Sequence, residues 1–252
     1  MRIASYNILN GGQGRADPLT EVILAQRADV VVLVEADDPD VVRHIARRLN
    51  MDFVHADAGS HAGAILSRWP MKMSINHAAA EGHWMNAFVE AHVIDPAGVE
   101  WPIVGVHFAA HASLEREQLR EQQLHDLFRR LKHLQGKPHI LAGDFNANAP
   151  SQQIDPARCY PGTQQKWIDN GGLLPRRLVG KLLDAGYVDT LHTIAPDLAD
   201  VTGTYTTHSP GQRIDYIFTH GIERSRIRSA WIERDRLAQF ASDHFPIGAD
   251  IE

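Results

Sequence analysis

Short apolar runs, each ended by a polar or charged side chain, recur along the chain and set its predicted elements. Met1–Ile8 is short and apolar-rich and reads as a strand. Pro18–Arg27 carries helical spacing at Leu19, Val22, Ile23 and Gln26. Asp29–Glu35 is a β-branched run of the kind that forms a strand buried on both faces. Pro39–Asn50 predicts a second helix with Val41, Val42, Ile45 and Leu49 on one side, and Gly63–Ser67 another strand, stopped by Trp69-Pro70. Ala87–Ile94 and Trp101–Phe108 flank the turn Asp95-Pro96-Ala97-Gly98, which predicts a hairpin.

Ser113–Leu134 is the strongest helix, with Ser113 as N-cap, a stripe of Leu124, Leu127, Phe128 and Leu131, and Gly136 and Pro138 closing it. The strand His139–Ala142 leads into Gly143-Asp144-Phe145-Asn146. The stretch 150–200 is the least regular: Gln152–Asn170 reads as loop and Leu173–Ala185 as helix. Late strands are expected at Gly203–Thr207, Arg213–Thr219 and Arg226–Ile232. The class is α/β or α+β.

Composition narrows the options. The chain has 252 residues, 44% apolar and 22% charged, enough for one large soluble domain, 1–252. A formal charge of -6 argues against a basic surface that coats nucleic acid. It leaves a polyanionic substrate open, because a bound divalent cation adds local charge that the count omits. The single cysteine, Cys159, forms no intramolecular disulfide and reads as a buried unreactive thiol rather than a nucleophile. The N-terminus MRIASYNILNGG lacks a signal-peptide pattern, and no apolar window approaches a membrane span. A monomeric cytoplasmic enzyme is the simplest expectation.

The polar residues that end the apolar strands need explaining, since a core strand gains nothing by closing on Asn, Glu, His or Asp. Asn7 ends the first strand and Glu35 the next, and His107 ends the second hairpin strand. Asp144 and Asn146 follow HILA, Asp215 lies within RIDYIF, and Asp243-His244 lies in ASDHFP. Singly, each has a plain reading. Asn7 suits a turn before Asn10-Gly11-Gly12, Glu35 a cap, His107 a satisfied half-buried ring, and Gly143-Asp144 ordinary turn chemistry. Asp215 suits a surface bridge to Arg213, and Asp243 an N-cap. Jointly, they require many independent coincidences.

Carboxylates and amides favour hard, oxygen-preferring cations such as Mg²⁺ or Mn²⁺, and no Cys/His spacing fits a structural zinc. Of the other histidines, His55, His61, His83, His111 and His208 among them, most read as structural or surface, with room for some to line the cleft. The bases of Arg120–Lys132 read as a solvated helix face.

In order, SYNILNGG, VVLVEADD, GAILSRWP, VGVHFAAH, LAGDFNANA, GQRIDYIF and SDHFPIGADI resemble the endonuclease/exonuclease/phosphatase superfamily with its DNase I-like fold. The resemblance spans nearly the whole chain, and its most specific part is GDFNA with RIDYIF and SDHFP at these spacings. It implies a four-layer sandwich of two packed mixed β-sheets flanked by helices, with ADVVVLVE and HILAGD central in different sheets. It also implies a divalent-metal-dependent phosphoesterase that hydrolyses a phosphodiester by in-line attack of an activated water.

Carried over residue by residue, the resemblance makes Glu35 the principal metal ligand, with Asn7 and Asp243 in the metal site. His107 would contact or protonate the phosphate region. Asp144 would orient or deprotonate the attacking water, and Asn146 would steady the phosphate. Asp215 would hold the ring of His244, which would stabilise the phosphorane. The partner is a phosphate-ester substrate, with nucleic acid among the candidates. A phospholipid-headgroup or sugar-phosphate esterase and a catalytically lapsed binding module are the alternatives.

Three departures loosen the substrate assignment. Glu35 is followed by Ala36-Asp37-Asp38 rather than the Thr/Leu-Lys type of abasic-site enzymes, and Thr204–His208 lacks their tryptophans. His61-Ala62-Gly63-Ala64 supplies no acidic partner for His107. Specificity would then come from the loops Ala78–Met85, Ala109–Ser113 and Pro150–Leu174.

Overall fold

The computed structural model describes residues 1–79 and 82–252, so two positions of the predicted specificity loop Ala78–Met85 lie outside the described residues. The strands are β1 (Arg2–Asn7), β2 (Val30–Val34), β3 (Asp52–Ala56), β4 (Gly63–Ser67), β5 (Met71–Asn76), β6 (Phe88–Ile94), β7 (Glu100–His107), β8 (His139–Asp144), β9 (Val188–Asp189), β10 (Asp215–His220), β11 (Ile227–Ile232) and β12 (Ile247–Ile251). The helices are α1 (Ala16–Gln26), α2 (Pro39–Leu49), α3 (Leu114–Arg130), α4 (Pro161–Asp169), α5 (Arg177–Asp184), α6 (Thr190–Ile194), α7 (Pro196–Val201) and α8 (Arg236–Ala241).

They build two six-stranded mixed sheets, in the orders β11-β12-β1-β2-β4-β3 and β5-β6-β7-β8-β10-β9. β2 and β8 are interior strands of different sheets, as their apolar runs imply. Alternation along the strands explains the layers. Val30 and Val32 of β2 meet Val89, Ala91, Ile140, Ala142 and Ile217 between the sheets. Val31 and Leu33 turn outward onto Leu19, Val22, Val42 and Ile45 of α1 and α2. In the second sheet Leu141, Tyr216 and Phe218 turn outward onto Leu124, Leu127, Leu178 and Leu182 of α3 and α5. Each such apolar side chain contributes roughly 1.5–3 kcal/mol on burial, so both faces of both sheets are committed.

Each sheet contains a single parallel pair, β1 with β2 and β7 with β8. Their carboxyl ends carry Asn7 opposite Val34 and His107 opposite Asp144. Strand packing across the sandwich brings these two ends to one rim. Gly143 is required there: its φ is +143°, and a Cβ at this position would lie 1.9 Å from the Val106 carbonyl oxygen.

Several expectations are corrected. Gln152–Asn170 contains α4, which begins on Pro161 and buries only Thr163, so it has no apolar periodicity to reveal it. Gly203–Thr207 is no strand: Tyr205 makes single bridges to Gln212 and His244. β5 is an edge strand whose side chains are mostly exposed, and it carries no core signature. Arg213 does not bridge Asp215 at the surface; it is buried and pairs with Asp189 at 2.8 Å. No helix among the described residues is long and apolar enough to cross a membrane.

Candidate active site

The rim formed by the two parallel pairs opens into a cleft of about 500 Å³ whose walls include Glu35, His107, Asp144, Asn146, Asp243 and His244. Asn7 lies behind Glu35. Its Nδ2 donates to Glu35 Oε1 at 3.0 Å and to Asp144 Oδ2 at 3.2 Å, so one amide links the two sheets. Its Oδ1 accepts the Leu9 N–H at 3.0 Å, which fixes the orientation of the amide. Glu35 Oε2 accepts the Asn10 N–H at 2.8 Å.

Glu35 follows β2 with φ 54° and Asn146 follows β8 with φ 50°, both in the left-handed region. Asparagine visits this region readily. Glutamate does so at a cost, and such residues cluster where a side chain must be aimed.

Asp144 is the centre of the constellation. Its Oδ1 accepts the Asn146 N–H at 2.9 Å. Its Oδ2 lies 3.6 Å from His107 Nε2 and 3.8 Å from His244 Nε2. Asp215, opposite Asp144 in the β8–β10 register, accepts from His244 Nδ1 at 2.8 Å. Asn146 Nδ2 donates to Phe108 O at 3.2 Å, holding the loop after β8 against that after β7. Ser242 ties the last loop to the first strand through a 2.7 Å bond from its Oγ to Asn7 O.

The electrostatics follow from burial and crowded carboxylates. Burial, reinforced by the charge of Asp215, pushes the Asp144 carboxyl up to about 8. Burial also pushes His107 down to about 4, so its ring is neutral, and its Nδ1 has no hydrogen-bond partner among the described residues. Burial opposes charge on His244, but the Asp215 carboxylate and its bond to Nδ1 raise the ring to about 10. Burial works against ionisation of Glu35, yet the Asn10 N–H and Asn7 Nδ2 hold it below the ordinary range. Asp243 is pushed up by burial.

All eight residues singled out from the sequence therefore belong to one neighbourhood. Other residues nearby were not singled out, although the loops Ala109–Ser113 and Pro150–Leu174, expected to set specificity, contain His111, Tyr160 and Lys166. Tyr205 packs its ring 4.8 Å from that of His244, and Tyr160 stands 6.2 Å from Tyr205. His111, Tyr160 and Lys166 also line the cleft, the last two from α4 and the turn before it. His61, read as structural, stands 5.6 Å from the His107 ring and is held by Asp37 at 2.9 Å. The acidic run after Glu35 was the available signal for that pair.

No curated protein matches the chain. Solved structures that match include an AP endonuclease from Archaeoglobus fulgidus, 19% identical, covering 100% of this chain and 99% of that one with a TM-score of 0.78. Another is the 3′ phosphatase NExo from Neisseria bound to a product DNA hairpin, 18% identical over 100% and 99% of the two chains, TM-score 0.72. A humanized D. rerio TDP2 is 19% identical over 100% and 98%, TM-score 0.69. At these identities the likeness establishes the DNase I-like sandwich. The family model "Endonuclease/Exonuclease/phosphatase family" matches residues 4–244. With that match spanning every motif from Asn7 to His244, the chain belongs to the Endonuclease/Exonuclease/phosphatase family, whose members are hydrolases acting on phosphoester bonds.

Proposed function

We propose that this protein hydrolyses a phosphodiester, in nucleic acid or a small diester, by in-line attack of water with Mg²⁺ or Mn²⁺ held at Glu35. The observation that carries this reading is the linked set Glu35–Asn7–Asp144 beside His244–Asp215 on the wall of one cleft. The donor set fits a hard divalent cation: Glu35, Asp144 and Asp243 offer carboxylates to the cleft. Asp144, Asp215 and His244 also have ligand atoms within 4.8 Å of one another. The bond between Asp215 and His244 Nδ1 commits those two to each other, which favours Glu35 and Asp243 as ligands, with Asn7 orienting Glu35. When bound, such an ion supplies charge neutralisation at the phosphate oxygens and polarises the ester.

The protein's own groups divide the remaining work. Asp144, raised toward neutrality, orients the attacking water and can take its proton. His244, kept protonated by Asp215, directs Nε2 into the cleft as a donor to the charge that builds on phosphorus-bound oxygen. Asn146 and neutral His107 flank the same volume and steady the phosphate. The exposed ring of Tyr160, with Tyr205 and Lys166 nearby, suits a base and its phosphate, which favours nucleotide-bearing diesters over lipid headgroups or sugar phosphates.

Hydrolysis of bis-(p-nitrophenyl) phosphate with and without Mg²⁺ or Mn²⁺, followed by single-stranded DNA, duplex DNA, RNA and phospholipid, tests the reading. Metal-dependent turnover with preference for nucleic acid is expected. Absence of turnover with every metal would make the chain a lapsed binding module, and preference for phospholipid would overturn the substrate class.

A further inference from the structure

Away from the cleft, Glu90 of β6 is wholly buried and is surrounded by three imidazoles. His92 Nε2 lies 2.6 Å and His133 Nε2 2.8 Å from its Oε1, and His77 Nε2 lies 2.7 Å from its Oε2. Phe88, Glu90 and His92 alternate along β6, so all three project from the face that carries the Phe88–Leu127 core. His133 comes from the 3₁₀ turn Leu131–Leu134 after α3, and His77 from the chain just beyond β5. None of the four lines the cleft.

The second nitrogen of two of these rings sets their tautomer. His92 Nδ1 lies 2.6 Å from Glu100 Oε1, and Glu100 is paired with Lys72 at 2.7 Å. His133 Nδ1 lies 3.0 Å from the Arg130 carbonyl oxygen. A carboxylate and a carbonyl only accept, so in both rings Nδ1 carries the hydrogen and the neutral ring presents its Nε2 lone pair to Glu90. Each of these two contacts then needs either a second proton on the ring or a cation between nitrogen and oxygen. One divalent cation satisfies every ring in its neutral form. A histidine whose Nδ1–H is held by a carboxylate or carbonyl while Nε2 is free is the arrangement that metal-binding histidines adopt.

We propose that Glu90, His92 and His133 bind a zinc-class divalent cation, with His77 holding the other Glu90 oxygen. The ligand atoms of these three lie within 4.8 Å of one another. Metal–nitrogen and metal–oxygen bonds of about 2.0–2.2 Å in tetrahedral geometry require the present contacts to open by roughly 0.5–1 Å, within side-chain reach. Imidazole with one carboxylate selects Zn²⁺, Co²⁺ or Ni²⁺ over Mg²⁺. The His133 side chain is 40% exposed, which provides the entry path and a position for solvent as fourth ligand. The ion would clamp β6 to the end of α3, a structural role separate from phosphoester hydrolysis.

The test titrates the chelator-treated full chain with Zn²⁺ and Co²⁺ in excess Mg²⁺, reading calorimetry, the visible Co²⁺ spectrum and thermal stability. One ion per chain, the intense visible bands of four-coordinate Co²⁺ and a raised Tm are expected. His133→Ala, on the exposed side and outside the apolar core, should abolish these signals, as should His92→Gln. Glu100→Gln should weaken Zn²⁺ by about 10–100-fold, the usual effect of losing a group that orients a ligand. Glu35→Gln should leave all three readouts unchanged. The proposal fails if Zn²⁺ binds no better than Mg²⁺. It fails equally if binding survives His133→Ala, or if Glu35→Gln removes it.

Discussion

His244 donates from Nδ1 to Asp215 Oδ2 at 2.8 Å while its Nε2 stands 3.8 Å from Asp144 Oδ2, so one imidazole spans the two facing carboxylates at the ends of β8 and β10. If Asp215 acts only by orienting and charging that ring, the two form a unit and their losses will not add. Asp144→Ala and His244→Ala should each lower kcat by about 10²-fold or more, the scale of a lost acid–base group or electrostatic donor. Asp215→Asn should cost less, and adding it to His244→Ala should change little. A double variant showing the full product of the separate losses would break the pairing. Steady-state kinetics on bis-(p-nitrophenyl) phosphate decides it.

Glu35 is held ionised by Asn7 and the Asn10 N–H, and its side chain is not part of either apolar layer. Glu35→Gln should therefore raise the Mg²⁺ or Mn²⁺ concentration needed for half-maximal activity while leaving Tm within a few degrees of the parent. Removal of metal by chelator should abolish turnover in both proteins. An unchanged metal titration would remove Glu35 from the metal site.

Tyr160 is exposed at the lip of the cleft, 6.2 Å from Tyr205. Loss of a stacked base costs about 1–3 kcal/mol. Tyr160→Ala should accordingly raise KM for a single-stranded oligonucleotide and leave bis-(p-nitrophenyl) phosphate hydrolysis nearly unchanged. Equal losses on both substrates would mean that the ring supports the fold of α4 rather than the substrate.

His139 shows how acid should destabilise the fold away from the site. Its Nδ1 donates to Lys137 O at 2.9 Å, and its Nε2 accepts from the Tyr187 hydroxyl at 2.8 Å, an arrangement open only to the neutral ring. Burial accordingly lowers its pKa below the ordinary histidine value. The unfolded chain protonates this ring as pH falls through about 6.5 while the folded chain does not, so stability declines below that pH and levels off once the folded ring also protonates. His139→Gln should reduce the slope of stability against pH by up to one proton, about 1.4 kcal/mol per pH unit, in denaturant titrations between neutrality and the folded pKa. A slope identical to the parent would mean that His139 is charged in the native state.

Gly143→Ala probes the rim itself. The added Cβ would meet the Val106 carbonyl oxygen at 1.9 Å, and the backbone φ of +143° is foreign to alanine. Overpacking with backbone strain should cost at least about 2 kcal/mol and displace Asp144, the next residue. Thermal unfolding would show the first effect and lost kcat the second. A variant of parental stability and activity would mean that β7 and β8 can separate without disturbing the site.

The sequence by itself determined the buried strands and the polar residues that end them. An apolar run that stops on Asn7, Glu35, His107 or Asp144 carries both the core pattern and the break in it. That is why all eight site residues could be proposed from the sequence; six of them line one cleft, and Asn7 and Asp215 bond to residues that do. Elements without periodicity stayed hidden: α4 buries one residue and β5 lies exposed at an edge, so neither leaves an apolar imprint. Tyr160 and Lys166 lie in Pro150–Leu174, a stretch expected to set specificity, but with α4 unrecognised neither could be singled out.

Partnership was decided only by tertiary structure. Arg213, two residues from Asp215, bonds Asp189 instead, which frees Asp215 for a histidine 29 residues away. Glu90 gathers His77, His92 and His133 from the end of one strand, its own strand and the turn after a helix. Only Glu90 and His92 share a local period, that of a β-strand. The other two distances are set by how β5 pairs with β6 and how α3 lies across the sheet, and those contacts come from packing between elements distant in sequence.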